Sequence, residues 1–171
     1  MQTLLEGLLP RLFPGLPFLC IPHEGKDDLE GSIRETLRDW GVPGDWFIIV
    51  RDNDNADCVT VKNRLRRFCH EGRRDDAVIR IVCQELEAWY LGDPDALAAA
   101  FRNERLRRIK NQSRFRDPDV RPKPSEDLKK LVPEFRRNAG ARRMAQHMTR
   151  ENNRSHSFGV FVNGIERMIN S

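Results

Sequence analysis

The chain has 171 residues, of which 39% are hydrophobic and 33% are charged, with a formal net charge of +4 at pH 7. This length and composition indicate one globular domain with a single core. No apolar run approaches the roughly 20 residues that span a bilayer, and the first residues lack the pattern of a secretory signal. We therefore expect neither a membrane span nor a secretory leader.

The four cysteines form no CxxC pair. Cys20 and Cys83 lie in apolar, strand-like runs, where buried and reduced thiols are usual. Cys69 and His70 are adjacent, but their spacing is wrong for a zinc cluster. These features predict a reducing, cytoplasmic location.

Charge is distributed unevenly along the chain. Residues 1–100 carry a net charge of −6, and residues 101–171 carry a net charge of +10. A basic segment of this kind favours a polyphosphate partner such as nucleic acid. The alternative is that it pairs with the acidic half of the same molecule or with an acidic protein.

Hydrophobic periodicity predicts alternating helices and strands over the first hundred residues. Helices are predicted at 3–13, 27–40, 58–72, 85–90 and 94–101, and strands at 16–21, 46–50 and 77–82. Such an alternation predicts an α/β fold in which helices flank a parallel sheet.

The strand signal vanishes after residue 101. Residues 103–124 are basic and poor in apolar residues, which predicts an irregular arm. Three helices follow, at 125–131, 139–148 and 155–170, and the last carries an apolar stripe typical of core packing. We therefore divide the chain into an α/β core, 1–101, and a helical, basic C-terminal portion, 102–171, packed on that core.

Two carboxylates, Asp52 and Asp54, follow the apolar run 47–50. If the chain is still extended there, both side chains point to the same side, at the edge where open α/β sheets bind ligands. They repel each other unless a cation bridges them, and one or two carboxylates commonly hold Mg²⁺. We hypothesise a site for Mg²⁺ or Mn²⁺. The alternative is a solvated turn that leads to a helix N-cap at Asp57.

A second pair of acids, Glu85 and Glu87, follows the next predicted strand. On one helix these side chains diverge by about 200°, so at most one faces the aspartates. We expect this to be Glu85, at the strand–helix junction. The alternative is that both acids simply favour a helix N-terminus.

Phosphate-binding candidates lie at two further places. Lys26 follows a glycine at a predicted helix N-terminus, which can bind phosphate, although the motif is far from a full P-loop. Arg154 and Ser155 enter the last helix in a polar cluster that offers phosphate ligands or forms an elaborate N-cap. His156 is a candidate general base, but a lone loop histidine is more often solvated.

Several motifs are informative in combination: 23–29 (HEGKDDL), Asp52 and Asp54 with Cys58 and Lys62, 85–93 (ELEAWYLGD), 115–118 (FRDP), 124–126 (PSE), 140–142 (GAR) and 153–158 (NRSHSF). Together they resemble the motifs of an uncharacterised bacterial family related to Toprim (topoisomerase–primase) domains. The resemblance covers nearly the whole chain. It implies a Toprim-like, Rossmannoid core, metal-dependent cleavage of nucleic acid, and a place beside AAA- or ABC-type ATPases in phage-defence loci.

The sequence departs from the Toprim pattern in one respect. Toprim domains carry a catalytic Glu at the end of a first strand, upstream of the first helix, whereas no strand precedes Thr3 here and Glu6 lies within the helix. Two interpretations stay open. Either the chain is truncated and the site is incomplete, or the first acid is absent, which suggests a binding role or an acid recruited from Glu24 or Glu85.

The leading hypothesis is a divalent-metal-dependent nuclease component of a bacterial anti-phage system. The two aspartates would hold the metal, and Glu85 would be a further ligand or position water. Lys26, Arg154 and Ser155 would contact phosphates. The alternative is a non-catalytic partner of a defence ATPase with a degenerate Toprim site. Phosphotransfer on the first aspartate is disfavoured, because Asn55 stands where Thr or Val is expected.

Overall fold

Two short parallel strands lie at the centre of the computed structural model, which describes residues 1–170. Strands β1 (Ile48–Asp52) and β2 (Val78–Val82) pair from Ile48↔Val78 to Asp52↔Val82. The helices are α1 (Gln2–Leu12), α2 (Lys26–Asp39), α3 (Cys58–Glu71), α4 (Glu87–Gly92), α5 (Pro94–Phe101), α6 (Pro124–Leu131), α7 (Arg137–His147) and α8 (His156–Ile169). The predicted α/β class is confirmed, as a mostly helical fold around a small parallel sheet.

Alternating strand residues divide the interior into two clusters. Ile49 and Ile79 pack against α2 and α3, in a small cluster that includes Leu65. Ile48 and Val82 face the other way, into a larger cluster built from α1, α4, α5, α6, α7 and α8. Because successive strand side chains point to opposite faces, five residues per strand are enough to organise both sides of the sheet.

The strand predicted at 16–21 is wrong. This segment forms no strand and pairs with none among the described residues, and Leu19 is 73% exposed. Prolines 14, 17 and 22 bracket and interrupt it. Since proline has no N–H to donate to a sheet, apolar composition alone was misleading here.

The predicted irregular arm consists of three 3₁₀ helices, Glu104–Asn111, Ser113–Phe115 and Pro118–Val120. Leu106, Ile109 and Phe115 of this arm are buried in the larger cluster. The C-terminal portion therefore shares one core with the preceding residues. Residue 171, the last of this predicted portion, lies outside the described residues.

Most predicted helices are present with small shifts at their ends. Asp93 caps α5 by accepting a 2.9 Å hydrogen bond from the N–H of Ala96, and Pro94 occupies the first turn as predicted. In α8 the predicted stripe is buried from Phe158 to Ile165, but Ile169 is 48% exposed. No helix within residues 1–170 combines the length and apolar character needed to cross a membrane.

A buried ionic cluster fixes β1 to the helices on one side of the sheet. The Glu30 carboxylate of α2 pairs with Arg51 of β1, and its second oxygen lies 2.6 Å from Arg64 of α3. The side chains of Glu30 and Arg51 are 7% and 9% exposed. A buried pair of this kind is strongly destabilised when one partner is removed, because the other charge stays buried and unpaired.

We therefore expect Glu30→Ala to lower the free energy of unfolding by about 3–5 kcal/mol. Urea unfolding followed by circular dichroism measures the change. Glu35→Ala, an exposed position on the same helix, is the matched control and should change stability by less than about 0.5 kcal/mol. Equal effects of the two substitutions would contradict a role for the buried cluster.

Candidate carboxylate site

The carboxyl ends of the two strands are tied together by Asn53, which is 3% exposed. Its N–H donates to the carbonyl of Val82 over 3.1 Å and extends the ladder by one bond. Its side-chain oxygen accepts from the N–H of Gln84, and its amide nitrogen donates to the carbonyl of Ala56 at 2.6 Å. The sequence does not single out Asn53, because its partners Val82 and Gln84 lie 29 and 31 positions further along the chain.

Beyond Asn53 the backbone leaves the strand direction. Asp54, Asn55 and Gln84 all have positive φ, at 49°, 62° and 63°. Asp and Asn tolerate this region, whereas Gln rarely adopts it. The premise that Asp52 and Asp54 share an extended strand is therefore wrong: Asp52 is half-buried at the strand end, and Asp54 is exposed on the turn.

Asp52 is the most perturbed acid of this edge. Its Oδ1 atom is covered and has no hydrogen-bond partner within residues 1–170. Burial raises the pKa of Asp52 to about 7, and the negative charges of Glu87 and Asp54 contribute to this increase. The main-chain N–H of Leu86 acts in the opposite direction. Near neutral pH this carboxyl group is therefore divided between its protonated and charged forms.

Glu87, not Glu85, is the acid that acts on Asp52. Burial raises the pKa of Glu87, the charge of Glu85 adds to this, and Arg137 partly offsets it. The expectation for Glu85 rested on a helix that begins at residue 85, whereas α4 begins only at Glu87. Since Gln84 is left-handed and the next residues form tight turns, the assumed helical phase does not apply at residue 85.

Glu85 instead contacts the start of α6. Its Oε2 accepts a 2.7 Å hydrogen bond from the N–H of Ser125, in the first turn of α6. A carboxylate from another element thus caps the start of α6, where Lys123 stands at the N-cap position and makes no side-chain cap itself. A negative charge at a helix N-terminus is favourable, so Glu85 positions α6.

The predicted phosphate ligands Arg154 and Ser155 lie in a structural junction. Ser155 is 2% exposed; its hydroxyl donates to Asp119 over 2.7 Å and caps α8 by accepting from the N–H of Phe158. The Arg154 guanidinium donates to the carbonyls of Lys110 and Phe115, in the 3₁₀ arm. The N-cap alternative is the one the geometry supports at Ser155. Lys26 is exposed at the first residue of α2.

The same junction connects α8 to the carboxylate edge. Ser157 accepts hydrogen bonds from the indole N–H of Trp89 at 2.9 Å and from the N–H of Cys83 at 3.3 Å. Asp119 accepts from the N–H of Ser157 at 2.7 Å. Gly92 is required nearby, because a Cβ there would collide with the Asn153 side chain. No sequence pattern indicates that Asp119, in the basic arm, completes this network.

The donor set at the edge suits a hard divalent cation. Carboxylate oxygens are the ligands of Mg²⁺ and Mn²⁺ in proteins, and the covered Oδ1 of Asp52 lacks a donor. Within residues 1–170, no group of three or more His, Cys, Asp or Glu side chains is placed to hold a metal ion. Mg²⁺ is often bound by one or two carboxylates with waters completing its shell, so Asp52 and Glu87 fit this requirement.

Comparison with known proteins gives the family. The family model described as "Domain of unknown function (DUF4276)" matches residues 1–166. The chain belongs to the DUF4276 family. No curated protein and no solved structure matches it. The DUF4276 match includes both the carboxylate edge and the α8 junction.

The raised pKa of Asp52 predicts how stability depends on pH. An acid whose pKa is higher in the folded state binds more protons there, so stability falls as pH rises from about 4 to about 7. The free energy of unfolding of Asp52→Asn should therefore decrease less over this pH range than that of the unsubstituted protein, by up to about 4 kcal/mol. Urea unfolding of both proteins between pH 4.5 and 8 measures it.

The control for this experiment is Asn63→Gln, at an exposed and uncharged position of α3. It should leave the pH profile parallel to that of the unsubstituted protein. If the Asp52→Asn profile is parallel as well, Asp52 does not carry a raised pKa.

Proposed function

We propose that this DUF4276 chain is a divalent-metal-dependent, Toprim-like nuclease component that hydrolyses phosphodiester bonds. The observation that carries the proposal is the covered, unpartnered Oδ1 of Asp52 beside Glu87, at the carboxyl edge of a parallel sheet. Ligands of α/β folds bind at this edge, and strongly perturbed carboxyl groups cluster at functional sites.

Each residue of the site would have a distinct role. Asp52 and Glu87 would hold Mg²⁺ or Mn²⁺, with waters completing the coordination shell. Such an ion, when bound, stabilises developing negative charge and lowers the pKa of bound water. Asn53 holds both strand ends in place. Arg137, whose charge acts on Glu87 against the effect of burial, offers a guanidinium to a phosphate oxygen.

The sequence motifs supply the biological setting of the proposal. Their resemblance to the Toprim-related family favours nucleic acid as the substrate and a bacterial anti-phage locus, with an AAA- or ABC-type ATPase as the partner. In this proposal Glu87 takes the position that the sequence assigned to Glu85. The fold of the described residues, helices around a parallel sheet, is compatible with a Toprim-like core.

We expect Mn²⁺ and Mg²⁺ to bind the unsubstituted chain in calorimetric titrations at pH 8. Asp52→Asn and Glu87→Gln should abolish binding, because each removes a charged oxygen ligand. Glu85→Gln is the matched control and should retain it, since Glu85 faces α6. Binding should weaken as pH falls below 7, because protons then compete for Asp52.

Cleavage of labelled DNA and RNA, with and without the metal, then tests the reaction. Metal-dependent cleavage should be lost in Asp52→Asn while circular dichroism stays unchanged. Cleavage that survives in Asp52→Asn would refute the assignment. Metal binding without cleavage would favour the alternative of a non-catalytic partner of an ATPase.

A further inference from the structure

We propose that the exposed basic residues of α6, of α7 and of the segment between them bind the phosphate backbone of a nucleic acid and guide it to the carboxylate site. We call this set the α6–α7 surface; it consists of Lys129, Lys130, Arg136, Arg137, Arg142 and Arg143. This inference rests on the proposed function and names the part of the molecule that would hold the substrate.

The first argument is the charge of this surface. Residues 129–143 contain six Lys or Arg and one acid, Glu134. All six basic side chains are exposed, and none forms an ion pair with an Asp or Glu of residues 1–170. Their positive charge is therefore available to a partner.

Other basic residues of the C-terminal portion differ in this respect. Arg107 pairs with Asp95 and Glu104, and Arg121 pairs with Asp127. Arg150 pairs with Glu166. In the described chain, Asp95 is the only acid of residues 1–100 in an ion pair with a basic residue beyond 101. Pairing within the molecule thus leaves the α6–α7 surface uncompensated.

The second argument is how helix packing presents α7. Its buried face contacts α1 so closely that a Cβ on Gly7 would lie 2.8 Å from that of Ala145. The outer face therefore carries Arg142 and Arg143. Arg142 borders a shallow cavity of about 270 Å³ next to α1, and the guanidinium of Arg143 lies 5.6 Å from the ring centre of Phe101. A guanidinium stacked on a ring keeps its N–H donors for a phosphate.

The third argument is the continuity between this surface and the carboxylates. Arg137 is the first residue of α7, and its charge acts on Glu87, where it partly offsets the effect of burial. Arg136 precedes it at the N-cap position, and no acid lies in the first turn. Positive side chains at a helix N-terminus are unfavourable unless an anion is near, so a phosphate there would complement both arginines and the helix.

The number of charges indicates the kind of ligand. A free phosphate is satisfied by two or three donors, whereas six exposed cations along a 15-residue stretch suit a polymer with regularly spaced phosphates. Most of the six are arginines, which bind phosphate oxygens with two parallel hydrogen bonds. A nucleic acid strand is the partner that this surface fits.

Fluorescence anisotropy of a labelled 20-nucleotide single-stranded DNA, and of its duplex, tests the inference in EDTA, where the metal plays no part. The double variants Lys129→Gln/Lys130→Gln, Arg136→Gln/Arg137→Gln and Arg142→Gln/Arg143→Gln should each weaken binding about tenfold or more at 50 mM salt. Each should also reduce the slope of log affinity against log salt by about 1.5–2.

The matched control is Arg105→Gln/Arg108→Gln, which removes the same charge from exposed positions in the 3₁₀ arm. It should weaken binding less than twofold. An equal loss in this control would overturn the inference, since net charge alone would then explain binding. Binding to vesicles of phosphatidylserine and phosphatidylcholine is measured as well and is compared with binding to the two DNAs. Binding to vesicles but not to either DNA would also overturn it.

Asp52→Asn separates this inference from the proposed function. It should bind both DNAs as tightly as the unsubstituted chain while losing metal binding. If the α6–α7 variants lose DNA binding but Asp52→Asn retains cleavage, the proposed site is wrong and the surface is right. If cleavage requires Asp52 but no α6–α7 variant affects binding, the surface is wrong and the site is right.

Discussion

The hydrogen bonds around Asn53 are the constraint on which the rest of the site depends. A two-stranded parallel sheet has few backbone hydrogen bonds between its strands. Asn53 extends the hydrogen bonding beyond the last residue pair of the ladder, through its N–H and its side-chain amide. The segments that follow the two strands then turn sharply, through Asp54 and Gln84 in the left-handed conformation. Because the two turns leave the sheet at the same point, Asp52 and Glu87 come close together although 35 positions separate them in sequence.

Two adjacent residues of β1 show how differently the fold treats buried charge. Arg51 points to the α2–α3 side and pairs with Glu30, whose other oxygen contacts Arg64. Asp52 points to the opposite side, where its Oδ1 has no partner among the described residues. Although Oε2 of Glu30 makes no hydrogen bond within residues 1–170, the first cluster balances its charges within the protein through these ion pairs. The second does not, which is typical of a group that completes its interactions with a ligand.

The sequence predicted the elements better than the contacts between them. Periodicity located both strands of the sheet and all the long helices, because it reports which face of an element is apolar. It failed at 16–21, because an apolar extended segment becomes a strand only if a neighbour pairs with it. It also did not reveal the partners of Glu85 and Ser155: these partners, Ser125 and Asp119, are 40 and 36 residues away, and no local pattern shows such distant contacts.

The separation of charge that is visible in the sequence persists in the folded chain. An acidic and a basic half on one molecule would ordinarily neutralise each other, yet the described ion pairs join mostly residues of the same half. Arg137 links the acidic and the basic parts of the molecule. It belongs to the α6–α7 surface, and its charge also acts on Glu87. In the proposed function, the carboxylate edge would bind a cation and the α6–α7 surface would bind phosphates, which together complement a phosphodiester with its divalent counter-ion. Neither an anion nor a cation alone would satisfy both.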